Sequence, residues 1–161
     1  MTRLYQIQEA VRQRAQEIAS AHGNWPCRKG CDDCCRRLAS VPRVSREEWH
    51  HIAAALDALP ADTADAVRRR IAHAALVARP VICPLLDAAS GACLVYEARP
   101  VACRAYGFYA EGRYVLGCSR IESMARQLPE VVWGNHAALE ERLEALGTAA
   151  SLADWLARQQ R

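Results

Sequence analysis

Eight cysteines, Cys27, Cys31, Cys34, Cys35, Cys83, Cys93, Cys103 and Cys118, carry the most distinctive chemistry in this 161-residue chain. Four of them fall within the nine residues CRKGCDDCC, far more than packing requires. Thiolates are soft ligands that select zinc, copper(I) or iron–sulfur clusters, and short steps of chain can turn several of them toward one centre. Disulfides are the other use of an even cysteine count, but they belong to oxidising compartments. The first twenty residues, MTRLYQIQEAVRQRAQEIAS, carry Arg3, Glu9, Arg12, Arg14 and Glu17, where a secretory signal would be uninterrupted and apolar. The expected location is therefore cytoplasmic, and the expected use of the thiols is metal ligation.

The spacing narrows the chemistry. Cys27, Cys31 and Cys34 make a C-x3-C-x2-C step, which also holds three irons of a four-iron cluster in radical S-adenosylmethionine enzymes. Those enzymes need a barrel of roughly 200 residues or more, and this chain is shorter and shows no alternation of strand and helix. Cys35 adds a condition. Neighbouring Cα atoms lie about 3.8 Å apart, and successive side chains of an extended chain diverge. Adjacent cysteines thus fit a single tetrahedral ion awkwardly, and one of Cys34 and Cys35 would serve a different iron, a second metal or none. One cluster with spare cysteines, two four-thiolate zinc sites and two clusters all satisfy the count. Zinc ribbons and fingers more often use two C-x2-C-type pairs. That preference favours an iron–sulfur cluster, as 4Fe–4S, with zinc as the alternative.

Helices must position this cluster. Leu4, Ile7, Val11, Ala15 and Ile18 recur at spacings of three and four, which predicts an amphipathic helix ending near Gly23. Ser45 with Glu48 has the form of a capping box, and Trp49, Ile52, Ala55, Leu56 and Leu59 continue a helix face until Pro60. A third helix is expected from Asp62 to about Arg79, before Pro80. From Val81 to Cys118 helical periodicity disappears, and Glu111-Gly112 marks one short β-hairpin. EVVWGNHAALEERLEAL (130–146) predicts a helix closed by Gly147, and Ser151 with Asp154 starts a terminal one containing Trp155. The fold class is mainly α: a single small domain over residues 1–161, with helical flanks (1–22 and 130–161) around an irregular cysteine-rich metal-binding core (27–118).

CRKGCDDCC, then CPLLD, then GACLVYEARPVACRAYGF together resemble the YkgJ-like cysteine cluster family, described as zinc- or iron-chelating and related to the cysteine region of flagellin lysine methylases. The likeness covers roughly positions 27–110. It implies a bacterial metal-binding domain with Cys27, Cys31, Cys34, Cys35, Cys83, Cys93 and Cys103 as ligand candidates. Cys118 lies outside the firm motif, as an eighth ligand or a buried thiol.

Arg99 and Arg104 are candidate cofactor-binding residues, because thiolate ligation leaves a negative centre that guanidinium groups would offset; ion pairs with Glu97 or Asp87 are the alternative. Tyr96 reads as packing over the metal loop, and Trp25 as a shield beside it. Arg28, Lys29, Arg36 and Arg37 could rim a surface for an acidic protein partner or simply be solvated. The five histidines lack the spacing of a zinc hydrolase. A net charge of +3, with Arg68-Arg69-Arg70 read as a solvated helix face, gives nucleic acid no support. No run of apolar residues suits a membrane span. Three functions remain: an iron–sulfur protein for electron transfer or redox and iron sensing, a structural zinc module for protein interaction, or part of a methyltransferase-like enzyme.

Overall fold

The computed structural model describes residues 1–161. The chain is mainly α, with seven α-helices, one 3-10 turn and five short strands. It divides into two compact units, one of residues 1–28 and 101–146 and the other of residues 29–100 and 147–161. No helix is long and apolar enough to cross a membrane.

The first unit is built on α1 (Arg3–His22), whose Leu4, Ile7, Val11 and Ile18 are buried as their spacing predicts. Thr2 caps its start by accepting from the Tyr5 amide, and Gly23 ends it. Against it pack α4 (Val101–Ala105) and α6 (His136–Glu144). Between them in sequence lies the expected hairpin, β3 (Tyr109–Glu111) with β4 (Tyr114–Val115), followed by α5 (Ser119–Gln127). Strand β5 (Gly134–Asn135) then pairs parallel to β3, with Tyr109 opposite Gly134.

That pairing corrects one expectation: residues 130–135 are not helical, and α6 starts only at His136. The Gly134 amide donates to the Phe108 carbonyl at 2.9 Å, and the Tyr109 ring lies where a Cβ on Gly134 would stand. Asn135 then caps α6 by accepting from the Ala138 amide.

In the second unit, α2 (Arg46–Asp57), α3 (Ala61–Ala74) and α7 (Leu152–Gln159) pack on one another over Trp49, Ile52, Leu56, Val67, Ile71, Leu152 and Leu156. The capping box at Ser45 and Glu48 is formed, and both residues are buried. Ser151 caps α7 by accepting from the Asp154 amide, and the Trp155 indole donates to the Val44 carbonyl at 2.9 Å.

Helix α3 stops at Ala74 instead of running to Arg79. Val81 exchanges two backbone hydrogen bonds with Leu38, so the chain must be extended there and has to leave the helix several residues earlier. Two elements fall where the sequence shows no periodicity, a short hairpin of β1 (Leu86–Asp87) with β2 (Ala92–Cys93) and a 3-10 turn over Tyr96–Ala98.

Because the capping box secures the helix on which this unit's core is assembled, Ser45→Ala should lower stability by about 1 kcal/mol, the usual cost of losing such a cap. Urea denaturation of the variant measures it.

Candidate metal centre

In the second unit the CDDCC segment is not extended. The Arg36 amide donates to the Asp32 carbonyl at 3.1 Å and the Arg37 amide to the Cys34 carbonyl at 3.2 Å, curling residues 32–37 into a turn. In this turn Cys34 and Cys35 do not diverge as an extended pair would: each thiol shifts the other's ionisation, and Cys35 is the largest influence on Cys34. Cys83 in turn opposes ionisation of Cys35.

The second pair of thiols arrives on the chain that follows α3. The Leu38–Val81 bridge aligns the two segments, and the Cys83 amide donates to the Cys35 carbonyl at 2.7 Å. Pairing of Leu86 with Cys93 across the β1–β2 hairpin then brings Cys93 back to the same place. The hairpin turn has its own support. The Asp87 carboxylate accepts from the Ala89 amide and the Ser90 hydroxyl, and Gly91 closes the turn at φ 71°, a conformation that costs glycine little.

Asp32 and Arg36 tie the cysteine turn to this hairpin. Arg36 Nε donates to Asp32 Oδ2 at 2.6 Å while Arg36 Nη2 reaches the Ala88 carbonyl at 3.2 Å. Gly91 lies so close to the Asp32 carboxylate that a Cβ would stand 3.0 Å from Oδ2. Arg36 is therefore a strut of the site, not part of a free basic rim. Lys29 is also engaged, 3.8 Å from Glu97 and over the Tyr96 ring. Arg70, read from the sequence as part of a solvated run, donates to the Leu86 carbonyl at 2.8 Å and helps fix β1.

The electrostatics are those of crowded thiols. Hydrogen bonding to Cys35, followed by burial, pushes Cys34 far up. Cys35 is pushed up to about 12 on balance: Cys34 lowers it, while Cys83, burial and the neighbouring Cys93 raise it. Burial raises Cys93, opposed by its hydrogen bond from the Val95 amide and by the charge of Arg99. Arg99 lies flat on the Tyr96 ring at 3.6 Å, and its Nε donates to the Tyr96 carbonyl at 3.0 Å. Tyr96 is thus the platform that aims Arg99.

The other candidates are distributed as follows. Cys31 belongs to the same unit and precedes the turn, whereas Cys27, Cys103 and Cys118 belong to the first unit. Cys27 packs against Gly107, where any Cβ would collide with its sulfur, and the Trp25 indole donates to the Gly107 carbonyl at 3.1 Å while Phe108 and Trp133 flank its ring. Cys103 and Arg104 lie on α4, and Cys118 precedes α5, packed against the first unit's core. None of the eight cysteines is in a disulfide, and all are half-buried. Within neither unit do three or more His, Cys, Asp or Glu side chains converge, as they stand, in a geometry that holds a metal ion.

The donor set fits a soft metal. Each of the four gathered thiols raises the cost of ionising another, and a bound cation would replace the protons that relieve this repulsion. Of the residues involved, Asp32, Arg36 and Asp87 were not singled out as supports from the sequence, although DAASG (87–91) has the composition of a turn.

The CxxCxxCC family, described as "Putative zinc- or iron-chelating domain", matches residues 26–131. The chain belongs to this family, and membership supports metal binding by its cysteine-rich domain. The family label spells C-x2-C-x2-C-C, whereas this chain has one more residue in the first step, Arg28-Lys29-Gly30. No curated protein and no solved structure matches the chain.

The thiol shifts fix a pH dependence. A thiol whose folded pKa lies above its unfolded value of 9.0 adds stability that is complete below pH 9 and disappears as the pH rises toward about 12. Metal-free reduced protein should therefore lose stability as the pH rises from about 9 toward about 12, while metal-loaded protein, with no thiol proton to lose, should hold it. Urea midpoints of both forms across that range provide the check.

Proposed function

We propose that Cys34, Cys35, Cys83 and Cys93 hold an iron–sulfur cluster and that the protein serves in electron transfer or in redox or iron sensing. The observation that carries this reading is the gathering of these four half-buried thiols through hydrogen bonds and mutual repulsion, with Arg99 aimed at Cys93. Four thiolates complete a two-iron or a four-iron cluster. The four-iron form is preferred because its ligands go to separate irons, so adjacent Cys34 and Cys35 need not share one. Bound there, such a cluster would accept and release single electrons.

The residues have distinct tasks. Asp32, Arg36 and Asp87 orient the two ligand-bearing loops, and the Val95 amide and Arg99 favour the thiolate at Cys93. Arg99 fits the charge-offsetting role because its charge already favours the thiolate at Cys93. Glu97 meets Lys29, and Asp87 is held by Ser90 and Ala89.

A structural zinc site on the same four thiols is the second reading. It is favoured by the hydrogen bond between Cys83 and Cys35, which joins two irregular segments where an ion would act as a clasp.

Purification without oxygen, with iron, sulfide and zinc determined alongside visible absorption, separates the two. About four irons and four sulfides per chain with a broad band are expected on the cluster reading, whereas about one zinc and no colour would establish the clasp. In either case Cys83→Ser should lose most of the metal and Cys118→Ser should keep it. Full metal in Cys83→Ser would remove the assignment.

A further inference from the structure

The exposed large hydrophobics of the second unit all lie on one short segment of chain, residues 76–82. Leu76, Val77 and Ile82 are 81%, 46% and 58% exposed, and they are the only large hydrophobics of that unit that solvent reaches so freely. They lie on the segment that leaves α3 and leads into Cys83, beside a pocket of about 290 Å³ lined by Ala39, Val41, Val77, Val81 and Pro84. Burying a patch of this kind is what stabilises protein–protein contacts, and monomers seldom leave one bare without a use.

The two segments that form it carry charge of one sign, and Asp154 faces Arg43 at the far side of the pocket. Between Arg36 and Arg43, and between Ala74 and Leu85, there is no Asp or Glu, whereas Arg37, Arg43 and Arg79 are present and exposed. The antiparallel bridge of Leu38 to Val81 places Arg37 next to one of its members and Ile82 next to the other, while Arg79 lines the pocket together with Val77 and Val81. Arg36 is neutralised by Asp32, and Arg43 donates to the Ala149 carbonyl, but Arg37 and Arg79 have no ion pair. Two free guanidinium groups beside an apolar centre match an acidic surface that presents an apolar side chain among carboxylates.

We infer that this face is a docking surface for an acidic partner protein, and, resting on the redox reading above, that the partner is a small acidic electron carrier. Ile82 adjoins Cys83 in the chain, so a carrier seated here would cover the backbone that bears a ligand of the proposed cluster. Arg37 and Arg79 steer and orient it, and Leu76, Val77 and Ile82 supply the contact that excludes water. The acidic-partner surface expected around Arg28, Lys29, Arg36 and Arg37 is thereby narrowed to Arg37 and extended to Arg79.

An acidic flavodoxin is the probe. It is titrated into the protein purified without oxygen, with amide NMR shifts and binding curves recorded at about 0.01 M and 0.15 M ionic strength, where charges act over roughly 30 and 8 Å. Shifts centred on residues 76–82, binding that weakens with salt, and a loss of at least about tenfold in the Arg37→Glu/Arg79→Glu double variant and in Leu76→Ser are expected. Each variant is first shown to keep its metal and its melting temperature. No binding, shifts elsewhere, or equal affinity in the charge-reversed variant would overturn the inference. So would self-association that Leu76→Ser abolishes, because it assigns the face to a second copy of the chain. Charge-dependent docking on colourless, zinc-loaded protein without electron transfer would instead leave the surface standing and sink the redox reading alone.

Discussion

The hydrogen bond from the Cys83 amide to the Cys35 carbonyl, 2.7 Å long, is the contact on which the candidate centre depends. It joins segments far apart in sequence and, with the Leu38–Val81 bridge beside it, fixes their register. Side chains that could otherwise point anywhere are then committed: Cys35 meets Cys83, Cys34 meets Cys35, and the β1–β2 hairpin returns Cys93 to the group. Breaking this alignment would separate the thiols without changing any of them.

Crowding is the energetic consequence. Thiols this close cannot all ionise at ordinary pH, since each thiolate penalises the next. Two local devices work against that penalty at Cys93, the Val95 amide and the guanidinium of Arg99 held on the Tyr96 ring. A bound metal would supply positive charge in place of the protons, which would couple its binding to the order of otherwise irregular chain. The same segment that delivers Cys83 leaves Leu76, Val77 and Ile82 in solvent, so the geometry that builds the centre also exposes a face beside it.

Much of this was legible in the residues. The apolar stripe of α1, the Ser45–Glu48 capping box, the serine cap of α7 and the hairpin at Glu111-Gly112 all follow from local pattern, and the structure contains each of them. The cysteine-rich metal-binding class was also readable, because so many thiols in one loop have few other uses. What local pattern missed depends on partners distant in sequence. The end of α3 is set by pairing with Leu38, and the delayed start of α6 by Gly134 against Tyr109 and Phe108. The divergence expected of Cys34 and Cys35 assumed an extended chain, whereas Asp32 and Arg36 curl it. Arg36 and Arg70 looked like solvated charge until the carbonyls of Ala88 and Leu86 gave them positions to hold.

The most direct measurement is mass-spectrometric mapping of cysteine alkylation, without oxygen, in metal-loaded protein and again after the metal is removed. Cys34, Cys35, Cys83 and Cys93 should be protected together while the metal is bound and become modifiable together once it is gone. Alkylation of Cys35 and Cys83 in protein that retains its full metal content would contradict that grouping.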